Sequence, residues 1–290
     1  MNAVLASLQT SPSVYAGCSA ALLTQHGKEA LLGPILDEVL GCHLVHVDSY
    51  DTDLLGTFTR EVPRAATQLE TAAKKARLGM ELAGLRLGLG SEGSVGMDPV
   101  TGLIPWCYEV LVWIDADRGL EVVGRAHASA CAGSRRVTSW EEAQAFAAHH
   151  MFPSHALVAR PSHADHGSIY KGIQDPDSLR RTYERARADA DDGVVFLEVD
   201  ARAHLNPTRQ AVIRQAGLDL VAKLRTLCPA CQSPGFGLAR RLPGLLCGNC
   251  GTPTAEFKGA VMACVACGDE TEERIAEAWA DPAHCPECNP

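Results

Sequence analysis

Between Tyr15 and Arg225 the apolar positions of this chain switch repeatedly between a helical and an extended period. The run "YAGCSAALLT" (15–24) has the continuous apolar character of a buried strand, and "HLVHVDSY" (43–50) alternates in steps of two. Between them, in 27–41, Leu31, Leu32, Ile35, Leu36, Val39 and Leu40 share one helical face, with Gly41 as the stop. The Ala-rich stretch 61–84 predicts a long helix closed by Gly84. A strand over 85–90 then opens into a loop, "SEGSVG". Residues 108–130 read as an antiparallel meander turning at Asp117, Arg118 and Gly119. Helices over 139–150, 177–190 and 207–225, with strands over 155–160 and 194–199, complete the pattern. Such interleaving predicts an α/β (α+β) body over 15–226, a mixed central sheet with flanking helices, preceded by a flexible tail over 1–14.

The periodicity stops near Leu227. Beyond it Gly, Pro and Cys dominate, and 270–280 is the one helical candidate. Eight of the 12 cysteines form four CxxC pairs here: Cys228/Cys231, Cys247/Cys250, Cys264/Cys267 and Cys285/Cys288. A two-residue spacer lets both thiolates of a pair face one ion, so residues 227–290 read as a zinc-ribbon module holding two structural zinc ions. Sequential sharing is expected, the first two pairs on one ion and the last two on the other, with an interleaved arrangement as the alternative. Cys18, Cys42, Cys107 and Cys131 lie in apolar stretches and read as small core residues.

Charge narrows the partners. The chain has 290 residues, 46% hydrophobic and 21% charged, and a formal net charge of −9, which disfavours a nucleic-acid binder. The tail repeats the argument: residues 221–290 carry six Lys and Arg against eight acidic side chains, and each four-thiolate zinc site adds about two negative charges. A stabilising or protein-docking appendage fits better. No run reaches the roughly 18 apolar residues of a membrane span, and the N-terminal stretch lacks the form of a signal peptide, so a cytoplasmic address is the expectation.

Two segments suggest chemistry. In "TQHGKE", Thr24, His26 and Lys28 sit in a polar turn at a helix N-terminus, a favourable place for phosphate. In "LGLGSEGSVG" (87–96) a single carboxylate, Glu92, stands among glycines and serines, which calls for a charge partner or a metal. As an exposed loop group, Glu92 is expected to tolerate Glu92→Gln with the fold nearly unchanged. Glu70 and Lys74, four apart, share a helical face.

The order of these segments resembles the inosine and xanthosine triphosphatase superfamily of nucleotide pyrophosphatases. "TQHGKE", "TQLETAAKKA", "LGLGSEGSVG", "YEVLVWIDADRGLEVVG" and the closing "NPTRQAVIRQAGLDLVAKL" occupy that superfamily's places in order. Departures are His26 where Asn is usual, Lys28 one residue early, and a loop less rich in glycine. More closely, "DTDLLGTFTREVPR", "GLGSEGSVG", "DARAHLNPTR" and the ending "CPECNP" resemble a bacterial family described only as a domain of unknown function. The superfamily resemblance implies a catalytic set of Glu92, Glu70, Lys28 and Lys74 with magnesium or manganese held by the carboxylates. It implies substrate contacts from Thr24, His26, Ser91, Ser94, Arg64, Arg202, His204 and Arg209, with Asp51 and Asp53 as further candidates. The first functional reading is a metal-dependent hydrolase of nucleoside triphosphates or a related phosphorylated small molecule. The rival is a non-catalytic protein that senses a nucleotide or binds a partner. Convergence of Glu70 and Glu92 beside Lys28 discriminates between them.

Overall fold

The computed structural model describes residues 12–55, 66–275 and 278–290. Strands β1 (Ser19–Leu23), β2 (His43–Val47), β3 (Leu87–Met97), β4 (Pro105–Asp115) and β5 (Leu120–Ser129) form a mixed sheet in the order β2-β1-β3-β4-β5. The first three run parallel; β4 and β5 return antiparallel. Helix α1 (Glu29–Leu40) joins β1 to β2 and ends at Gly41, whose left-handed backbone is free of cost in glycine. Helix α2 (Gln68–Ala83) opens with a capping box, Thr67 with Glu70, and ends at Gly84. It lies on one face of the sheet, where Ala72, Ala73 and Ala76 meet Val112 and Ile114. Helix α1 and the last helix of the body, α5 (Pro207–Arg225), cover the other face. Leu32, Leu36, Ile213 and Leu220 pack there against Leu89, Leu111 and Trp113.

The chain does not build the body on one central sheet, as its sequence suggests. Strands β6 (Ser134–Val137), β7 (Leu157–Pro161), β8 (Tyr170–Ile173) and β9 (Val195–Val199) form a separate antiparallel sheet in the order β6-β9-β7-β8. Helices α3 (Trp140–His149) and α4 (Pro176–Ala188) complete a second core around Leu157, Tyr183 and Leu197. The short strands β6 and β8, four residues each, carry too little alternation to read from sequence.

The stretch read as a loop is also strand. Residues 87–97 pair without interruption against 105–115. The glycines serve helix packing, because a Cβ on Gly90 would fall 1.8 Å from the Ala72 carbonyl oxygen and one on Gly88 would fall 2.4 Å from Met80 Cγ. Bare strand lets the α2 backbone lie directly against it.

The third sheet belongs to the cysteine module: β10 (Phe236–Pro243), β11 (Phe257–Cys264) and β12 (Glu270–Arg274), antiparallel. The expected helix over 270–280 is therefore corrected. Ile275 and Trp279 have helical spacing, but 270–274 is exposed strand paired with β11, and residues 276–277 lie outside the described residues. Among the described residues no helix is long and apolar enough to cross a membrane.

Candidate functional site

Strand alternation decides what can meet on β3, because neighbouring side chains point to opposite faces. Glu92 points toward α2, where Lys75 donates to its carboxylate at 2.7 Å, and both side chains are largely buried. Ser91 and Gly93 face the other way, toward α1 and α5. There the Lys28 ammonium donates to Ser91 Oγ (2.8 Å) and Glu109 Oε1 (2.7 Å), and Ser91 Oγ donates to the same carboxylate. Arg209 Nη2 approaches Glu109 Oε2 at 3.2 Å. A Cβ on Gly93 would meet both Glu109 and Arg209, so glycine here makes room for the ion pair.

Glu109 is the hub, 1% exposed. Burial pushes its carboxyl pKa up, but Lys28 and Arg209 outweigh that and hold it at about 2. The group is ionised throughout the working pH range. Arg209 is set by the start of α5: Asn206 caps the helix by accepting from the Arg209 amide, and the guanidinium also donates to the Ala201 carbonyl. Next to it, wholly buried Asp200 accepts from the Arg202 guanidinium at 2.7 Å and from the Gly172 amide. His26 and His204 stack with ring centroids 5.4 Å apart and planes 12° from parallel. Burial, then the proximity of His204, Lys28, Arg202 and Arg209, drives the His26 pKa down to about 3, so the ring is neutral.

An open groove of about 340 Å³ adjoins this cluster. Val95, Gly96, Met97 and Pro105 line it from the first sheet, and Ser134, Glu198 and Val199 from the second. Ala201, whose carbonyl holds Arg209, is part of its wall.

Of the residues anticipated from sequence, the fold gathers Lys28, Ser91, Arg209, His26, His204 and Arg202 in one region. Thr24, buried at the end of β1, orders the turn by accepting from the His26 amide. Ser94 lies farther along β3, opposite Tyr108. Glu70 and Glu92 do not share a partner. Glu70 is exposed and folds back on the Thr67 amide and hydroxyl, whereas Glu92 is taken by Lys75. Lys74 is exposed on α2. Arg64 and the side chain of Asp53 lie outside the described residues, and Asp51 is exposed after β2. The sequence reading missed Glu109 and Asp200 and gave Lys75 no role in the site. For Glu109 a signal existed: in "CYEVLVWID" it has the same strand parity as Cys107 and Leu111, and an acid on an inward face needs a cation.

Because Glu92 is 5% exposed and ion-paired, Glu92→Gln is not the neutral change a loop position would allow. It is expected to lower stability by about 2 kcal/mol, since Lys75 keeps an acceptor but loses its counter-charge. Chemical denaturation of the variant measures this, and an unchanged midpoint would mean that the pair contributes nothing.

The second site is a pair of four-cysteine clusters. The eight module cysteines form two groups, Cys228, Cys231, Cys264 and Cys267, and Cys247, Cys250, Cys285 and Cys288, with all sulfurs of a group within 4.8 Å of one another. Sulfur pairs stand 3.7 and 3.6 Å apart in the first group, 3.8 and 3.6 Å in the second. A tetrahedron with Zn–S bonds of about 2.3 Å has edges of roughly 3.8 Å, so each group could hold a zinc ion. The pairing is interleaved, first knuckle with third and second with fourth, which overturns the sequential expectation. Antiparallel pairing is the reason: β10 and β11 align Phe236 with Cys264, bringing the third knuckle to the first. Among the described residues these are the two groups of three or more His, Cys, Asp or Glu that could hold a metal ion.

No curated protein and no solved structure matches this chain. Residues 75–290 match the family described as Domain of unknown function (DUF6671). That match spans β3 to β12, including every lining residue of the groove and all eight module cysteines, and leaves out β1, α1, β2 and the start of α2. The chain therefore belongs to the DUF6671 family.

Proposed function

We propose that the body binds a phosphorylated small molecule, of the nucleotide class, in the groove between its two sheets. One observation carries this reading. On the α1/α5 face Lys28, Arg202 and Arg209 gather against two carboxylates, Glu109 and Asp200, leaving a positive excess within a chain of net charge −9. Such a concentration of cations, which meets the groove at Ala201, favours an anion, and guanidinium groups suit phosphate oxygens. The neutral His26 ring lies in the same positive field, and burial and Arg202 lower the His204 pKa beside it. The resemblance of the sequence segments to nucleotide pyrophosphatases is part of the proposal.

Between binding and hydrolysis, the carboxylates favour binding. Glu70 faces its own helix cap and Glu92 faces Lys75, on the opposite side of the sheet from Lys28. A magnesium or manganese ion held by those two groups would require both to leave their partners. Hydrolysis is the second reading, and Glu109 supports it: an ionised carboxylate bonded to Ser91 beside two cations is a group that a metal-bound phosphate could recruit.

Titration of inorganic pyrophosphate and a panel of nucleotides, followed by calorimetry and thermal unfolding, tests the reading. At least one compound is expected to raise stability by about 2–3 kcal/mol at 100 times its Kd, with affinity falling as salt rises. Release of pyrophosphate or phosphate with Mg2+ or Mn2+ would establish the second reading. Absence of heat and of any shift across the whole panel would refute both.

A further inference from the structure

The two zinc sites differ in how they attach to the rest of the chain. The first knuckle follows directly on α5: Cys228 stands two residues after its cap, Thr226, and the Phe236 amide donates to the Thr226 carbonyl. The Gly235 amide donates to the carbonyl of Lys223, in the last turn of α5, and the Lys223 ammonium donates in turn to the Val123 carbonyl on β5. At Gly235, with φ +95°, an added Cβ would lie 2.8 Å from both Val122 of β5 and Val265, the residue between Cys264 and Cys267. The first knuckle is thus bonded to the end of α5, Gly235 sits between β5 and the third knuckle, and Cys228, Phe236 and Cys264 form a small buried cluster with Met262 against them.

The second site has no comparable attachment. Its knuckles are held by Gly248 and Ala280, Cys247 and Thr252, Thr254 and Leu245, and Asn289 and Cys285. The side chains around it bond likewise to module residues, Asn249 to Cys288 and His284 to Glu256. Among the described residues, every hydrogen bond of 244–256 and 278–290 stays within the module.

We propose that the two sites do different work: zinc in the Cys228 site is a structural member of the body, pinning the C-terminal end of α5 to β5, whereas zinc in the Cys247 site orders the module alone. Helix α5 is the link to the charged cluster, since its first turn carries Arg209. These contacts are independent of what the groove binds.

Cys231 and Cys250 offer a matched comparison, because each is the exposed second cysteine of its knuckle. Cys231→Ser and Cys250→Ser in the full chain should each retain about one zinc ion. In differential scanning calorimetry, Cys231→Ser is expected to lower the main unfolding transition by about 5–10 °C, or to prevent folding, whereas Cys250→Ser should leave that transition within about 1 °C. An unchanged main transition in Cys231→Ser overturns the proposal. So does a comparable fall, or failure to fold, in Cys250→Ser, because a site bonded only within the module cannot take the body down.

Discussion

Stripping zinc with a strong chelator is expected to release about two ions per chain and to unfold residues 227–290, turning eight shielded cysteines into freely reactive thiols. The magnitude follows from how little else holds the module. Its buried side chains amount to a few residues around Phe236 and Val261, and a three-stranded sheet with a wholly exposed β12 cannot cover the entropy of ordering some 60 residues. Structural zinc in small ribbons supplies on the order of 10–16 kcal/mol per ion, so its loss outweighs everything else the module has. The demand for a cation is visible in the thiols. Hydrogen bonds from Ser233 draw Cys231 down to about 6. At Cys267 a backbone hydrogen bond at Asp269 acts the same way but is overcome by Cys231 and its neighbours, which push the thiol up to about 12. Four sulfurs at contact cannot all ionise without a metal between them. Metal analysis of protein purified without added zinc, with thiol counting before and after chelation, decides the matter. Negligible metal together with intact disulfides would falsify the assignment.

Glu109→Ala is expected to destabilise the body by about 3–5 kcal/mol, a fall of about 10 °C or more in the unfolding midpoint. The carboxylate is the shared anion of Lys28 and Arg209, and its removal leaves both cations buried without it and Ser91 without its acceptor. The double change Glu109→Leu with Lys28→Met should cost less than the sum of the single changes, because it removes an ion pair together with its desolvation. Acid should act in the same direction. A carboxylate held at about 2 in the folded state, against 4.5 ordinarily, stabilises fully above pH 4.5 and loses that contribution as pH falls toward 2. His26, kept neutral down to about pH 3 against 6.5 ordinarily, adds a loss that begins earlier, as pH falls from 6.5 toward 3. Stability measured from pH 8 to pH 3 should therefore decline on the acid side without a compensating rise, and a flat profile in wild type would contradict the charged hub.

What the sequence made legible was whatever depends on local pattern. The helical face from Leu31 to Leu40, the stops at Gly41 and Gly84, the meander after Tyr108 and the zinc knuckles are all written in residue spacing. The failures share one cause, that a residue type can answer more than one structural need. Glycine at 88, 90 and 93 suggests a turn, yet here it answers close approach by α2 and by the Glu109–Arg209 pair. Glu92 in a loop would be free to bind metal; in a strand its partner is dictated by parity, and Lys75 stands on that side. Glu70 stood out for its spacing to Lys74 but works as a helix cap, a role that the Thr67-to-Glu70 spacing also spells. Zinc pairing was beyond local reading altogether, because it depends on which strands of the module become neighbours.

Interleaved ligation carries a consequence for assembly. Four knuckles can be joined in pairs in three ways, and adjacent knuckles, separated by the shortest stretches of chain, meet most often in an unfolded ensemble. The native arrangement uses neither adjacent nor outermost pairs: 228–231 must bypass 247–250 to reach 264–267, and 247–250 must bypass 264–267 to reach 285–288. A first ion captured by a disordered module would thus tend to join the wrong neighbours, and correct closure would wait until β10 and β11 have paired. Reloading metal after complete unfolding becomes a sorting problem, governed by how fast thiolates exchange on zinc compared with how fast the hairpin zips.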